Sequence, residues 1–118
     1  MKKILICDDE LGIRESLKLI LEKDYKVLSA VNGTECLDCL SQTADIDLVL
    51  MDIKMPQVNG IEILRQIKSN NPKIKVIMVT GYKSVETATE AVKAGASDYI
   101  VKPFNSKDIL DTLKKVLK

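Results

Sequence analysis

The sequence predicts an α/β fold: one doubly wound parallel sheet of five strands, with helices on both faces. Three observations lead to this prediction. Short apolar runs alternate five times with segments whose apolar residues recur every three or four positions. Turn-forming Asn, Gly and Pro residues separate many of these segments. The length of 118 residues suits a compact domain, so residues 1–118 are predicted to form a single one.

The first two strand–helix pairs are predicted from their apolar patterns and one turn. Lys3–Cys7 is apolar after its first residue and predicts a buried strand, whereas Lys26–Ala30 mixes polar and apolar residues like an edge strand. Apolar residues at helical spacing predict a helix over Gly12–Lys23. Asn32–Gly33 is a turn signal, and the helix that follows it is expected to end near Ser41.

The other three pairs follow the same logic. Leu48–Met51 and Lys75–Val79 predict buried strands, and Tyr99–Val101 predicts a short last strand. The helices of this part are expected over 61–70, over Ser84–Ala94, and from Asn105 onwards, with Ser84 and Asn105 as N-caps.

The order of the strands follows from their polarity. The three most apolar strands (the first, third and fourth) should be central, and the second and fifth should lie at the edges. Right-handed crossovers then favour the order 2-1-3-4-5, the flavodoxin-like arrangement.

Composition excludes several classes of function. The formal net charge of +1 and only four aromatic residues argue against direct nucleic-acid binding. No apolar run reaches membrane-spanning length, and the acids at residues 8–10 interrupt the N-terminal apolar stretch too early for a signal peptide. We therefore expect a cytoplasmic protein without a membrane partner.

The cysteines predict neither a disulfide framework nor a zinc site. There are three of them, Cys7, Cys36 and Cys39, and an odd number without an export signal argues against disulfides. Cys36 and Cys39 have the C-x-x-C spacing, which we interpret as two small apolar residues on one helix face. Zinc is disfavoured because the chain has no histidine and Cys7 belongs to a different element.

Polar residues follow four of the five predicted strands. Asp8 and Asp9 follow the first strand, Asp52 the third, Thr80 the fourth and Lys102 the fifth. Because the carboxyl ends of parallel strands share one edge of the sheet, these residues should meet there. Converging carboxylates repel one another unless a cation or the Lys102 ammonium compensates them. With only oxygen ligands at hand, Mg²⁺ is the expected cation.

Acids, a hydroxyl, a lysine and a hard cation are the parts of a phosphoryl-transfer site. Asp52, the acid at the end of an apolar strand, is the predicted nucleophile that would form an acyl phosphate. Asp8 and Asp9 are better placed to hold the metal. Taken singly, each of these residues could be a helix cap, a turn acid or a solvated lysine, so the prediction depends on the whole set.

Longer segments carry a resemblance to the receiver domain of two-component response regulators. The matching segments are Ile4–Glu10, Leu48–Pro56, Gly60–Ile61, Val76–Gly81 and Ala94–Phe104. They span nearly the whole chain. The resemblance implies a signalling switch that a histidine kinase or a histidine phosphotransfer protein phosphorylates, and that acts on an output domain or effector protein, with homodimerisation on activation as a further possibility.

The resemblance also implies a role for each residue of the site. Asp52 accepts the phosphoryl group and contributes to the metal site, Asp9 binds Mg²⁺ (or Mn²⁺ in its place) directly, and Asp8 does so through water. The backbone carbonyl of Lys54 is the remaining protein ligand, and Lys102 contacts the phosphoryl oxygens. The domain then acts as a switch that promotes its own phosphorylation and dephosphorylation, without being a conventional enzyme.

The conformational part of the switch is implied in the same way. Thr80 moves toward the phosphoryl group, Tyr99 changes its packing with it, and the peptide bond between Lys102 and Pro103 is cis. The partner preference of the face formed by the fourth helix, fifth strand and fifth helix then changes. Lys54 and Tyr82 occupy positions that the resemblance connects with the lifetime of the acyl phosphate.

Three other functions remain as alternatives. An aspartate-nucleophile phosphohydrolase would need a second Asp two residues after Asp52, where this chain has Lys54. A pseudo-receiver that binds partners without phosphorylation does not need the complete set of acids, Thr80 and Lys102. A flavodoxin-type mononucleotide-binding protein is disfavoured because the acidic loop after the first strand would repel phosphate.

Overall fold

The computed structural model describes residues 1–81 and 84–118. Within them, five strands alternate with five helices. The strands are β1 (Lys3–Cys7), β2 (Lys26–Ala30), β3 (Ile46–Met51), β4 (Lys75–Thr80) and β5 (Asp98–Val101). The helices are α1 (Leu11–Leu21), α2 (Gly33–Gln42), α3 (Gly60–Asn70), α4 (Val85–Lys93) and α5 (Ser106–Val116).

The strands form one parallel sheet in the order β2-β1-β3-β4-β5. This confirms the predicted fold and the central position of β1, β3 and β4. Their side chains are almost all buried, whereas β2 and β5 include exposed residues, as expected of edge strands. The carboxyl ends of all five strands therefore lie along one edge of the sheet, which we call the C-terminal edge.

Strand β3 begins two residues earlier than its apolar run predicts. Asp47 interrupts that run, but its carboxylate accepts a hydrogen bond of 2.8 Å from the backbone N–H of Lys3. Pairing between β1 and β3 is irregular at this point and becomes regular from Leu48 onwards. A hydrogen bond from the neighbouring strand thus keeps a polar residue within the strand.

The core has two parts, one on each face of the sheet. Helices α1 and α5 cover one face, and α2, α3 and α4 cover the other. Successive side chains of β3 alternate between them: Leu48 and Leu50 belong to the first part, and Val49 and Met51 to the second. Both faces are therefore filled with apolar side chains, and the sheet's polar residues collect at its ends.

Four of the helices begin with a side-chain cap. In each case a side-chain oxygen accepts a hydrogen bond from a backbone N–H in the first turn, which satisfies a donor without a partner inside the helix. The caps are Asn32 on α2, Asn59 on α3, Ser84 on α4 and Asn105 on α5. Ser84 and Asn105 confirm the predicted caps. Among the helices formed by residues 1–81 and 84–118, none is long and apolar enough to cross a bilayer.

Candidate functional site

The C-terminal edge of the sheet brings together the polar residues that follow four strands. Asp8 and Asp52 come directly after β1 and β3, Thr80 ends β4, and Lys102 follows β5. A cavity of about 310 Å³ opens here. It is lined by Glu10, Asp52, Lys54, Thr80, Gly81 and Lys102. The sheet topology therefore positions groups that are more than 90 residues apart along the chain, such as Asp8 and Lys102.

Lys102 lies among three carboxylates. Its Nζ is 2.8 Å from Asp8 Oδ2, 3.5 Å from Asp52 Oδ2 and 3.8 Å from Glu10 Oε1. Burial by itself would lower the pKa of Lys102, but the hydrogen bond to Asp8 and the charges of the three acids outweigh it, and the pKa is raised. The ammonium is thus held in its charged form. It compensates part of the negative charge at this edge of the sheet.

Asp52 is the carboxylate with the least access to water after Asp8. Burial and the neighbouring charge of Asp8 raise the pKa of Asp52. The ammonium of Lys102 and a hydrogen bond with the Thr80 side chain oppose this rise. The backbone of Asp52 is fixed by a 3.0 Å hydrogen bond from its N–H to the carbonyl of Cys7. The backbone that carries this carboxylate is therefore fixed. The carboxylate itself is poorly hydrated, and it shares the ammonium of Lys102 with Asp8.

Two hydrogen bonds hold Asp8 in the loop after β1. The N-cap residue of α1 is Glu10, whose side chain makes no capping hydrogen bond. Asp8 Oδ1 accepts a 2.9 Å hydrogen bond from the N–H of Glu10, and Arg14 donates one of 3.0 Å to the carbonyl of Asp8. Asp9 is exposed beside this turn. Asp8 is thus oriented toward Lys102, and Asp9 faces water.

These donors fit a hard divalent cation. One carboxylate oxygen from each of Asp8, Asp9 and Glu10 lies within 4.8 Å of the others. The buried Asp8 and Asp52 share the single ammonium of Lys102, so negative charge remains in excess. Oxygen donors with surplus negative charge suit Mg²⁺, which favours one or two carboxylates, waters and a phosphate oxygen.

The loop between β3 and α3 is fixed by close backbone packing at Gly60. A Cβ at this position would lie 1.9 Å from the carbonyl oxygen of Asp52, so only glycine fits. The N–H of Gly60 also donates a 2.7 Å hydrogen bond to the carbonyl of Ile53. This packing fixes the backbone just before Lys54, whose carbonyl is the expected metal ligand. The Lys54 residue itself is exposed at the cavity.

The predicted switch residues lie on two neighbouring strands. Thr80 is buried, and its carbonyl accepts a 2.8 Å hydrogen bond from the N–H of Lys102. Tyr99 is half-buried and packs against the part of the core under α2, α3 and α4. Burial and the charge of Asp52 raise the pKa of Tyr99. The Lys102–Pro103 peptide bond is cis. Tyr82 lies outside the described residues.

Sequence reasoning missed one grouping beneath this edge. Cys36 and Cys39 pack into the same part of the core, as expected of apolar residues on one face of α2, but that part also contains Cys7 at the end of β1, which was not connected with them. Cys7 Sγ also lies 3.6 Å from the sulfur of Met55. Arg14 and Glu10 were likewise not singled out, since contacts between a loop and the helix that follows it leave no spacing signal.

Comparison with known proteins decides the family. The family model described as "response regulator receiver domain" matches residues 4–114, which is most of the chain. The chain is a response regulator receiver domain. This confirms the resemblance derived from the motifs, and places the chain among the domains of two-component systems that act as phosphorylation-activated switches rather than conventional enzymes.

Its relatives include a long regulator and a short protein. The transcriptional regulatory protein ZraR of Klebsiella oxytoca is 41% identical over 115 residues, which are 97% of this chain but 26% of that protein. Sporulation initiation phosphotransferase F of Bacillus subtilis is 39% identical over 117 residues, 98% of this chain and 94% of that protein. The chain thus spans about a quarter of the regulator's length and nearly all of the phosphotransferase.

Solved structures agree with the fold. The CheY-like receiver domain protein from Methanospirillum hungatei superposes with a TM-score of 0.94 at 41% identity, covering 99% of this chain and 94% of that one. The response regulator TrrA from Thermotoga maritima, solved in complex with Mg²⁺-BeF, gives a TM-score of 0.88 at 37% identity and covers 98% and 99% of the two chains. Receiver domains of this family bind Mg²⁺ at the acidic pocket.

Proposed function

We propose that this receiver domain accepts a phosphoryl group on Asp52 in a Mg²⁺-dependent reaction and thereby changes its preference for a partner. The observation that carries the proposal is the convergence of Asp52, Thr80 and Lys102 on one cavity at the C-terminal edge of the sheet, with the buried Asp8 2.8 Å from the Lys102 ammonium. Each comes from the end of a different strand. Such a meeting of acids, hydroxyl and ammonium supports phosphoryl transfer far more strongly than a single polar residue at a strand end would.

The reaction needs a nucleophile that is fixed and poorly hydrated. A carboxylate oxygen of Asp52 attacks the phosphorus of a phosphohistidine, and an O–P bond forms as the P–N bond breaks. The electron pair of that bond stays on the imidazole nitrogen, which takes a proton from solvent. The buried carboxylate gives up little hydration on attack, and the hydrogen bond that the Asp52 N–H donates to the carbonyl of Cys7 keeps its backbone in place.

The cation neutralises charge that would otherwise oppose the approach of a phosphoryl donor. Asp9, with Asp8 and Asp52, would hold Mg²⁺, and the carbonyl of Lys54 would complete the protein ligands. Bound there, Mg²⁺ supplies electrostatic stabilisation of the transferring group. Mn²⁺ has similar oxygen preferences and would substitute for it. Lys102 then exchanges part of its contact with Asp8 for the phosphoryl oxygens.

Phosphorylation would act on the rest of the domain through Thr80. The new group adds roughly two negative charges and three acceptor oxygens. The Thr80 hydroxyl, now hydrogen-bonded with Asp52, would follow those oxygens, and Tyr99 would repack beside it. Because β4 and β5 pair from Ile77 to Thr80, this movement reaches the face formed by α4, β5 and α5. That face would bind the output domain or effector, or a second copy of the domain.

The phosphodonor would be a histidine kinase or a histidine phosphotransfer protein, which fits a cytoplasmic location and requires no contact with nucleic acid. The site does not support the alternative function of an aspartate-nucleophile phosphohydrolase. The residue two positions after Asp52, where such an enzyme usually carries its second Asp, is an exposed lysine.

A small-molecule phosphodonor tests the proposal in the absence of a kinase. Incubated with acetyl phosphate and Mg²⁺, the protein is expected to gain the mass of one phosphoryl group, which hydroxylamine removes because it cleaves acyl phosphates. EDTA should prevent the gain. Asp52→Asn should abolish it, whereas Asp38→Asn, an exposed acid on α2, should leave it unchanged. A gain that persists in Asp52→Asn would refute the assignment of the acceptor.

The metal assignment has its own test. Asp9→Ala is expected to weaken Mg²⁺ binding, measured by calorimetry, and to slow phosphorylation at a fixed low Mg²⁺ concentration. Raising the Mg²⁺ concentration should recover part of the rate. Mg²⁺ affinity equal to that of the original protein would contradict Asp9 as a ligand.

A further inference from the structure

Glu10 is an exposed acid at the mouth of the phosphorylation cavity. It lines the cavity together with Asp52 and Lys102, and its side chain is 65% exposed. Its Oε1 lies 3.8 Å from Lys102 Nζ, which in turn lies 3.5 Å from Asp52 Oδ2. The Glu10 carboxylate is therefore within two such distances of the acceptor carboxylate and, unlike Asp52, is open to water.

The fold does not depend on the charge of Glu10. Glu10 is the N-cap residue of α1, but its side chain makes no capping hydrogen bond. The contact that Glu10 makes with Asp8 comes from its backbone N–H, which glutamine would keep. Glu10→Gln therefore changes the charge at the cavity mouth without removing a hydrogen bond that holds the loop after β1.

A phosphodonor enters this cavity with its leaving group outermost. Transfer to Asp52 requires the attacking oxygen, the phosphorus and the leaving atom to lie roughly in line. Asp52 is 4% exposed and so lies at the inner end of the cavity, which places the leaving group near the exposed Glu10. Glu10 therefore acts most strongly on the charge of the leaving group.

Two classes of donor differ in that charge. In phosphoimidazole, which has the chemistry of a phosphohistidine, the ring nitrogen remote from phosphorus takes up a proton near neutral pH. When the P–N bond breaks, its electron pair neutralises the ring, and neutral imidazole departs. In acetyl phosphate the P–O bond breaks, and its electron pair departs with acetate, an anion. A carboxylate at the mouth attracts the first leaving group and repels the second.

We propose that Glu10 is a specificity-determining residue that favours histidine-type phosphodonors over anionic acyl phosphates; this inference rests on the proposed phosphorylation of Asp52. Lys54, which is also exposed at the cavity, has the opposite charge. It acts alike on the original protein and on a Glu10 variant, so comparing the two isolates the contribution of the Glu10 carboxylate.

Phosphorylation rates with two small donors test the proposal. Acetyl phosphate and phosphoimidazole are each incubated with the original protein and with Glu10→Gln, at saturating Mg²⁺ and low ionic strength, and the mass gain is followed in time. Glu10→Gln is expected to raise the acetyl phosphate rate by about threefold, the effect of one unit charge at roughly 6 Å in water, and to lower the phosphoimidazole rate. The ratio of the two rates should therefore shift by more than about threefold toward acetyl phosphate, and high salt should reduce this shift.

Glu15→Gln is the matched control. Glu15 is an exposed acid of α1 outside the cavity lining, and its loss changes the net charge by the same amount. This variant should keep the rate ratio of the original protein. An unchanged ratio in Glu10→Gln, or an equal shift in Glu15→Gln, would overturn the proposal. A shift that vanishes when the Mg²⁺ concentration is raised further would also overturn it, because Glu10 would then act through the metal.

The same measurements distinguish failure of this inference from failure of the proposed function. If neither donor phosphorylates the original protein, or if Asp52→Asn still gains the group, the proposed function fails and this inference fails with it. If both donors phosphorylate the original protein at Asp52 but the ratio of their rates is independent of Glu10, only the inference about Glu10 fails.

Discussion

At the scale of single residues, the site is a balance of charges around Lys102. Two buried carboxylates, Asp8 and Asp52, share one ammonium, and the exposed Glu10 adds a third, weaker contact. The structure thus stores unfavourable electrostatics at the place where a cation and a phosphoryl group are expected to bind. Removing a negative charge from this site should therefore stabilise the metal-free domain, whereas removing the positive charge of Lys102 should destabilise it.

Neutralising Asp52 should stabilise the metal-free domain. Its carboxylate is buried next to Asp8, and both effects disfavour its charged form. Asp52→Asn is expected to raise the free energy of unfolding by on the order of 1 kcal/mol in EDTA, measured by urea denaturation. Asp38→Asn, at an exposed position, should change it little. A clear loss of stability in Asp52→Asn would mean that Lys102 and Thr80 more than compensate the charge.

Removing the ammonium should have the reverse effect. Lys102→Met keeps the apolar stem but leaves Asp8 and Asp52 without their shared partner. The expected loss is about 1–3 kcal/mol, less than for a fully buried pair because Lys102 keeps some contact with water. In an Asp52→Asn background the loss should be smaller, as a double-mutant cycle would measure. Equal losses in both backgrounds would show that Lys102 and Asp52 are not coupled.

At the scale of elements, the positions of the loops after β1 and β3 decide the geometry of the site. Hydrogen bonds from Glu10 and Arg14 fix the first loop, and the close approach of Gly60 to the Asp52 carbonyl fixes the second. Such contacts act on the backbone. Their loss should therefore displace a site residue without changing its chemistry.

Two glycines test this view as a matched pair. Gly60→Ala would place Cβ against the carbonyl of Asp52, so we expect a loss of about 1–3 kcal/mol or more and slower phosphorylation by acetyl phosphate. Gly12→Ala lies in α1 with open space around the new Cβ and should stabilise the protein by roughly 0.5–1 kcal/mol. If Gly60→Ala is phosphorylated at the original rate, the close packing of Gly60 against the Asp52 carbonyl does not matter for the reaction.

At the scale of the whole molecule, the sheet connects the site to a distant face. Thr80 ends β4 and pairs with β5, whose Tyr99 packs into the core beside α4. A change at Asp52 can reach that face only if the phosphorylated form gains contacts that the free form lacks. Thr80 is the proposed source of those contacts.

Thr80→Ala should separate phosphorylation from its structural consequence. The variant is expected to take phosphate from acetyl phosphate, but its phosphorylation should no longer alter hydrogen exchange in α4 and β5. The original protein and Thr34→Ala, at an exposed threonine of α2, should both show that alteration. If phosphorylation alters hydrogen exchange in Thr80→Ala as it does in the original protein, the Thr80 hydroxyl does not transmit the change.

Much of this organisation could be predicted because it depends on local pattern and topology. Apolar runs identified the three central strands, and parallel topology placed Asp8, Asp52, Thr80 and Lys102 at one edge. The start of β3 was missed because Asp47 is held by a hydrogen bond from another strand. That Cys7 and Cys36 belong to one part of the core was missed because it depends on how α2 packs on β1, which residue spacing does not encode.

The most direct test of the account is to locate the phosphoryl group itself. After incubation with acetyl phosphate and Mg²⁺, borohydride reduces an acyl phosphate and converts the modified aspartate to homoserine, which peptide mass mapping then assigns to a position. The account predicts homoserine at position 52 and none in the metal-free control. Homoserine at Asp8 or Asp9 instead, or an unmodified Asp52 in a folded, Mg²⁺-loaded protein, would contradict it.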